Sequence, residues 1–238
     1  MAKVKIQLMQ LGYPPVDLRE VSKWRSKQFE FTDGIIHKAD LPDADTEAWR
    51  LSKARLAKVI GKPTGADITF AVTDRPIERN YYMHLLSDSV VVLTLNEVSG
   101  ILAVANLQPE MFVLRNIYEI VCMWRELDGK AGATAYTLPH QDVRGCLYDL
   151  NFDKTDLVRS TESVHLCPQC KARLMGKPLP LGFVDDVERE LKGIKKPLVY
   201  KVLDFVKAHP VAAFVISSAW ALVLGLASNA VYGFLTKP

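Results

Sequence analysis

From Pro210 to Thr236 the chain runs for 27 residues without a side chain charged at neutral pH. A membrane-spanning helix needs about 20 largely apolar residues at a rise of about 1.5 Å each, so this segment is long enough to cross a bilayer. A core helix of a soluble protein is usually shorter and carries polar residues along one side. Trp220 and Tyr232 fall near opposite ends of the run, where interfacial aromatics are expected. Only Lys237 and Pro238 follow, which reads as a single-pass tail anchor in the lipid bilayer. Lys192, Lys195, Lys196, Lys201 and Lys207 precede the span, and the positive-inside rule then keeps the N-terminal domain in the cytoplasm. The opening MAKVKIQLMQLG has no long apolar stretch of the kind a secretory signal requires.

Within the span Ser217, Ala221, Gly225, Asn229 and Gly233 recur every four residues and share one helix face. Small residues let helices approach closely, and an asparagine at membrane depth favours a hydrogen-bonding partner. Self-association as a homo-oligomer through this helix is the functional reading; ordinary membrane-helix composition is the plain one. The chain carries 30 Lys and Arg against 27 Asp and Glu, and a net +3 is too small a surplus to make nucleic acid the main partner.

The first 175 residues alternate strand and helix patterns. Lys3–Leu11 alternates like a strand, and Val16–Lys27 has helical spacing through Val16, Leu18, Val21 and Trp24. Asp45 is placed to cap a helix that runs to Gly61. ADITFAVTD and DSVVVLTL read as further strands, the second apolar enough to be buried on both faces. Pro109 opens a long helix that Asp128-Gly129 stops. Trp24, Trp49 and Trp124 occupy apolar helical positions and read as core, while Glu119 and Glu126 read as a partly solvated face. Residues 176–186 read as a linker before a charged helix, and residues 176–209 as linker plus juxtamembrane helix before the span at 210–236. Neither a phosphate-binding glycine loop nor a Gly-x-Ser-x-Gly elbow is present.

The strongest chemical signal lies between residues 140 and 170. Cys167-Pro-Gln-Cys170 has the spacing with which two thiolates grip one tetrahedral zinc. Cys146 is the third ligand, and His140 the preferred fourth, because His165 lies so near Cys167 that both would have to bend toward one ion. The expectation is one structural Zn per chain. A redox dithiol is the first competing reading, but such a pair usually opens a helix after a strand, whereas this one follows a polar stretch. The second is that the cysteines are small buried hydrophobes.

These residues and their surroundings resemble the archaemetzincins, a family of zinc peptidases whose pattern is HExxHxxGxxH followed by Cys-x4-Cys-x-Met and then Cys-x-x-Cys. Cys146 stands where the resemblance puts the second cysteine, and Cys167 and Cys170 fall at nearly the matching distance. IQLMQLGYPPVDLREVSKWRSKQF is similar to the family's opening strand and helix, and FAVTDRPIERNYYMHLLSDSVVVLTL to its central strands. The likeness covers about residues 3–174. It implies an α+β fold: a metzincin-like mixed sheet packed with helices and a small structural-zinc subdomain, here followed by a transmembrane helix.

The departures are specific. A zincin needs two histidines one helical turn apart, with a glutamate between them to activate the bound water. None of His37, His84, His140, His165 and His209 has a partner four residues away. Tyr118-Glu119-Ile120-Val121-Cys122 keeps the glutamate alone. By the resemblance His140 takes the place of the third catalytic histidine, Gln141 that of the first cysteine and Tyr148 that of the methionine. The expectation is therefore a metzincin-like zinc domain without catalytic residues. It would respond to an unidentified protein or small-molecule trigger and act through assembly at the membrane, as a bacterial defence or toxin-type effector would. A membrane-tethered peptidase using Glu119 and His140 with new partners is the alternative, and an adaptor that recruits a partner protein is a third.

Overall fold

The computed structural model describes residues 2–235, in two compact units divided between Lys195 and Lys196. The first unit is built on a six-stranded mixed sheet. In chain order its elements are β1 (Val4–Leu11), α1 (Leu18–Ser22), β2 (Phe29–Phe31), β3 (Ile36–Lys38), α2 (Lys53–Ile60), β4 (Ile68–Thr73), β5 (Met83–Ser87) and β6 (Val90–Thr94). Five helices follow: α3 (Val98–Val104), α4 (Pro109–Glu126), α5 (Leu157–Glu162), α6 (Pro168–Met175) and α7 (Phe183–Leu191).

The strand order is β2-β1-β4-β6-β5, with β3 beside the second half of β1. All pairings are parallel except that of β5 with β6. Every residue of β4 and β6 is buried, as expected of strands covered on both faces. Strand alternation divides the cover into two layers. Ile6, Leu8, Phe70, Val72, Val91 and Leu93 join the cluster that contains α4. Met9, Leu11, Ala71, Val90 and Val92 face the other way, onto Leu56 and Ile60 of α2.

Pro109 occupies the first turn of α4, where its missing N–H costs nothing. This helix is buried nearly all round, because it lies between the sheet and the segment that carries the cysteines. Glu119 and Glu126 correct the expectation of a solvated face: they are 2% and 6% exposed, each paired with an arginine.

Other local expectations also shift. The first helix stops at Ser22, and downstream Trp24 donates its indole N–H to Tyr118 Oη at 2.8 Å. The second begins at Lys53, capped by Ser52 Oγ, while Asp45 holds the N–H and Oγ of that same serine at 2.8 and 2.6 Å. Trp49 is 83% exposed, on a residue with φ of 54°, and is not core. α7 begins inside the segment read as linker and buries Phe183, Val184, Val187 and Leu191. Its Glu190 accepts from Ser26 Oγ at 2.6 Å, Tyr118 Oη at 2.7 Å and the Lys27 N–H at 2.7 Å. The packed unit thus extends through residue 195.

The second unit contains α8 (Leu198–Ala208) and α9 (Pro210–Leu235). At 26 residues α9 is about 39 Å long, against a hydrocarbon core of about 30 Å. Its stretch Pro210–Asn229 is long and apolar enough to cross a membrane.

Candidate metal centre

Three backbone devices bring the ligand residues together. His140 pairs with the 148–150 segment, its N–H bonding Tyr148 O and its carbonyl accepting from Leu150 N, both at 3.0 Å. Cys146 is bridged to His165 by the Leu147 N–H on His165 O at 2.7 Å and the His165 N–H on Gly145 O at 3.2 Å. Cys167 is the N-cap of α6, and Pro168 opens that helix so that Cys170 returns in its first turn.

As a result His140, Cys146, Cys167 and Cys170 present four ligand atoms that all lie within 4.8 Å of one another. Zinc at about 2.3 Å from each thiolate puts the sulfurs about 3.8 Å apart, so the donor set and its spacing fit a tetrahedral zinc. The three cysteines are almost completely buried, and the His140 side chain is 15% exposed. The structure brings these four sequence-picked residues together as a possible zinc-binding group. His165 lies outside the group, exposed, with Nδ1 at 2.9 Å from Ser163 O.

The surroundings prepare the ligands for a metal. Both neighbours of His140 Nδ1, Asp142 O at 3.0 Å and Asp149 Oδ1 at 3.3 Å, are acceptors. The ring proton therefore sits on Nδ1 and leaves the Nε2 lone pair facing the site, 3.6 Å from Cys167 Sγ. Cys146 Sγ shares the Cys170 proton and receives the N–H groups of Cys167 at 3.3 Å and Tyr148 at 3.5 Å, which pushes it down. That shared proton, together with burial, pushes Cys170 up. The pair titrates as one unit.

Asp149, not anticipated from sequence, organises the loop. Its Oδ2 accepts the N–H groups of Arg144, Gly145 and Cys146 at 2.9, 2.7 and 2.9 Å. The turn depends on Gly145, whose φ is +79° and whose absent Cβ would lie 3.3 Å from His165 Cε1. Gly145→Ala is expected to destabilise the protein by about 1–2 kcal/mol in chemical denaturation, since an L-residue pays that much to enter this region.

Beneath the loop lies a second unanticipated residue. Arg115 of α4 is fully buried and donates to Leu147 O at 2.8 Å, to Cys146 O and Asp149 O at 3.5 Å, and to Asn116 Oδ1 at 2.9 Å. It also pairs with Glu119 one turn along the helix. Arg173 of α6 ties the other side, 2.8 Å from Glu126 and 4.6 Å over the Tyr148 ring. The helical spacing of Arg115 and Glu119 in an otherwise apolar stretch was the available signal.

Burial pushes the Glu119 carboxyl up to about 7, with Arg115 opposing. Because the folded value lies above the usual 4.5, its contribution to stability is fully present below about 4.5 and is lost as pH rises toward about 7. Compared with Glu119→Gln across about pH 5 to pH 8, the native chain should lose relative stability up to about pH 7 and then level off. Denaturant titration at each pH reads the difference.

Glu119 also lines a cavity of about 370 Å³ with Tyr82, Met83, Leu85, Met123 and Phe152. At the sheet edge beside it, the Tyr136 hydroxyl accepts from Leu85 N and donates to Leu85 O, both at 3.2 Å. Tyr118 and Cys122, the two positions flanking Glu119 and Val121, are fully buried in the core. Tyr118 Oη bonds Glu190, and burial pushes the Cys122 thiol up. Among the described residues, His84 is buried on the Glu78 carbonyl at 2.8 Å.

No protein-family model matches the sequence, and no curated protein matches it either. The comparison with solved structures finds two similar chains. The archaemetzincin of Methanopyrus kandleri shares 14% identity at a TM-score of 0.43, over 80% of this chain and 96% of its own. A zinc-dependent peptidase of Methanocorpusculum labreanum shares 17% identity at a TM-score of 0.40, over 71% of this chain and 99% of its own.

Proposed function

We propose that this chain is a non-catalytic zinc-binding protein, held at a membrane by α9, that works as a sensor or effector through self-association. The observation that carries the reading is the closed ligand set. Three buried thiols and one imidazole supply the four ligands that a tetrahedral zinc takes, whereas a catalytic zinc keeps a position open for water or substrate. Tyr118 and Cys122, with side chains committed to the core, support the same reading at the one helical segment that retains a suitably placed glutamate.

Zinc here would fix the 140–170 segment onto α4 and α6, and so contribute to folding. The length and apolarity of α9 support anchoring, and the lysines ahead of it favour a cytoplasmic domain. Its face of small residues with Asn229 supports association between copies. An effector of the defence or toxin type, released by a protein or small-molecule trigger, is one form of this activity.

Two measurements on the full chain in membranes test the reading. Crosslinking should capture dimers or larger species, and Gly225→Leu should reduce them several-fold; monomers alone would remove the self-association. Quenched peptide substrates should remain uncleaved. Cleavage that Glu119→Gln abolishes would instead identify a membrane-tethered peptidase.

A further inference from the structure

Helix α8 presents a feature that anchoring by α9 does not require. At 100° per residue, Phe205, Leu198, Val202, Val206, Val199 and Leu203 fall on one continuous arc of about 160°. Lys207, Tyr200, Asp204, Ala208 and Lys201 fill the opposite side. All six apolar side chains are more than two-fifths exposed. Lys201 and Lys207 stand at the two borders of the arc. Helix α8 ends at Ala208, the backbone breaks at His209 with φ of −135° and ψ of 62°, and α9 begins at Pro210.

We infer that α8 is an interfacial helix, lying in the plane of the membrane with its apolar arc among the upper acyl chains of the lipid. The inference rests on the reading of α9 as a span. Given that reading, the start of α9 stands at the bilayer surface, and a helix joined to it through one residue is held at that depth. A large amphipathic arc bordered by lysines is what such a position selects. Lysines at the borders of the arc lay their aliphatic stems along the apolar side and turn their ammonium groups to the headgroups. The break at His209 separates the two helical backbones, so α8 need not follow the direction of the span.

The test uses the full chain in phosphatidylcholine–phosphatidylglycerol vesicles, with one nitroxide per protein. The four native cysteines are buried, which leaves an introduced one as the reactive site. Labels at Val202→Cys and Val206→Cys report the arc, Tyr200→Cys and Ala208→Cys the opposite side, and Leu222→Cys the span. Collisions with oxygen, enriched in the acyl chains, and with a neutral nickel chelate, confined to water, are then compared. Labels at 202 and 206 should collide several-fold more with oxygen than those at 200 and 208, with the reverse for nickel, while 222 is the deepest. Equal nickel access at all four α8 positions would overturn the inference by placing α8 in water. Screening of 202 and 206 from both reagents would overturn it by placing the arc against protein, in this chain or a second copy. Either result, with 222 still in lipid, leaves the anchor standing; nickel access at 222 would remove the anchor itself.

Discussion

Cys170→Ser will purify without zinc and without the cooperative unfolding transition of the native domain. Cys170 is fully buried and shares its proton with Cys146, so a serine there leaves three ligands and a buried hydroxyl in a polar cluster that has no cation. Structural zinc sites have apparent binding free energies of about 10–16 kcal/mol at neutral pH, and whole domains are stable by only about 5–15 kcal/mol. Loss of the metal therefore removes as much as the entire margin. The damage should begin in residues 140–170, whose backbone is held by short pairings and by Asp149 rather than by long strands. Metal analysis with thermal denaturation checks this, and a strong chelator should reproduce the variant's behaviour in the native chain. A variant that retains zinc and melts as the native chain does would refute the account of the site.

Arg115→Met is expected to cost about 3–5 kcal/mol, because it strips the buried Glu119 of its cationic partner and forces the carboxyl to take up a proton. The same change frees the carbonyls of Cys146, Leu147 and Asp149, so zinc affinity should fall about 10–100-fold as well. The double variant Arg115→Met with Glu119→Leu separates the two effects. Replacing both charges by apolar groups of similar size should recover much of the stability, since a buried pair often contributes little beyond its own desolvation cost. Zinc affinity should stay low, because the loop carbonyls remain unheld. Full recovery of zinc affinity would mean that Arg115 acts only through Glu119.

Much of this was legible in the sequence, for reasons that differ by element. β1, β4, β6 and α4 have enough periodic or continuous apolar residues to declare themselves, and Pro109 marks the start of the helix. The cysteines were legible because two thiols at the Cys-x-x-Cys spacing have few alternative chemistries. β2 and β3, at three residues each, are too short to carry a pattern and exist because β1 offers an open edge. The start of α2 was displaced because Asp45 bonds the capping serine rather than capping the helix itself. The charged helix expected after residue 186 starts earlier, at Phe183 inside the stretch read as linker, and its docking depends on Glu190 meeting Tyr118 across the fold. Glu119 looked solvated because helical spacing indicates which residues share a face, and nothing in that spacing says that a second layer covers it.

X-ray absorption at the zinc edge of the full-length protein tests the central claim most directly. One zinc per chain is predicted, with three sulfurs at about 2.3 Å and one nitrogen at about 2.0 Å. A first shell of nitrogen and oxygen without sulfur, or a second zinc per chain with a water in its shell, would contradict the closed site and restore a catalytic metal.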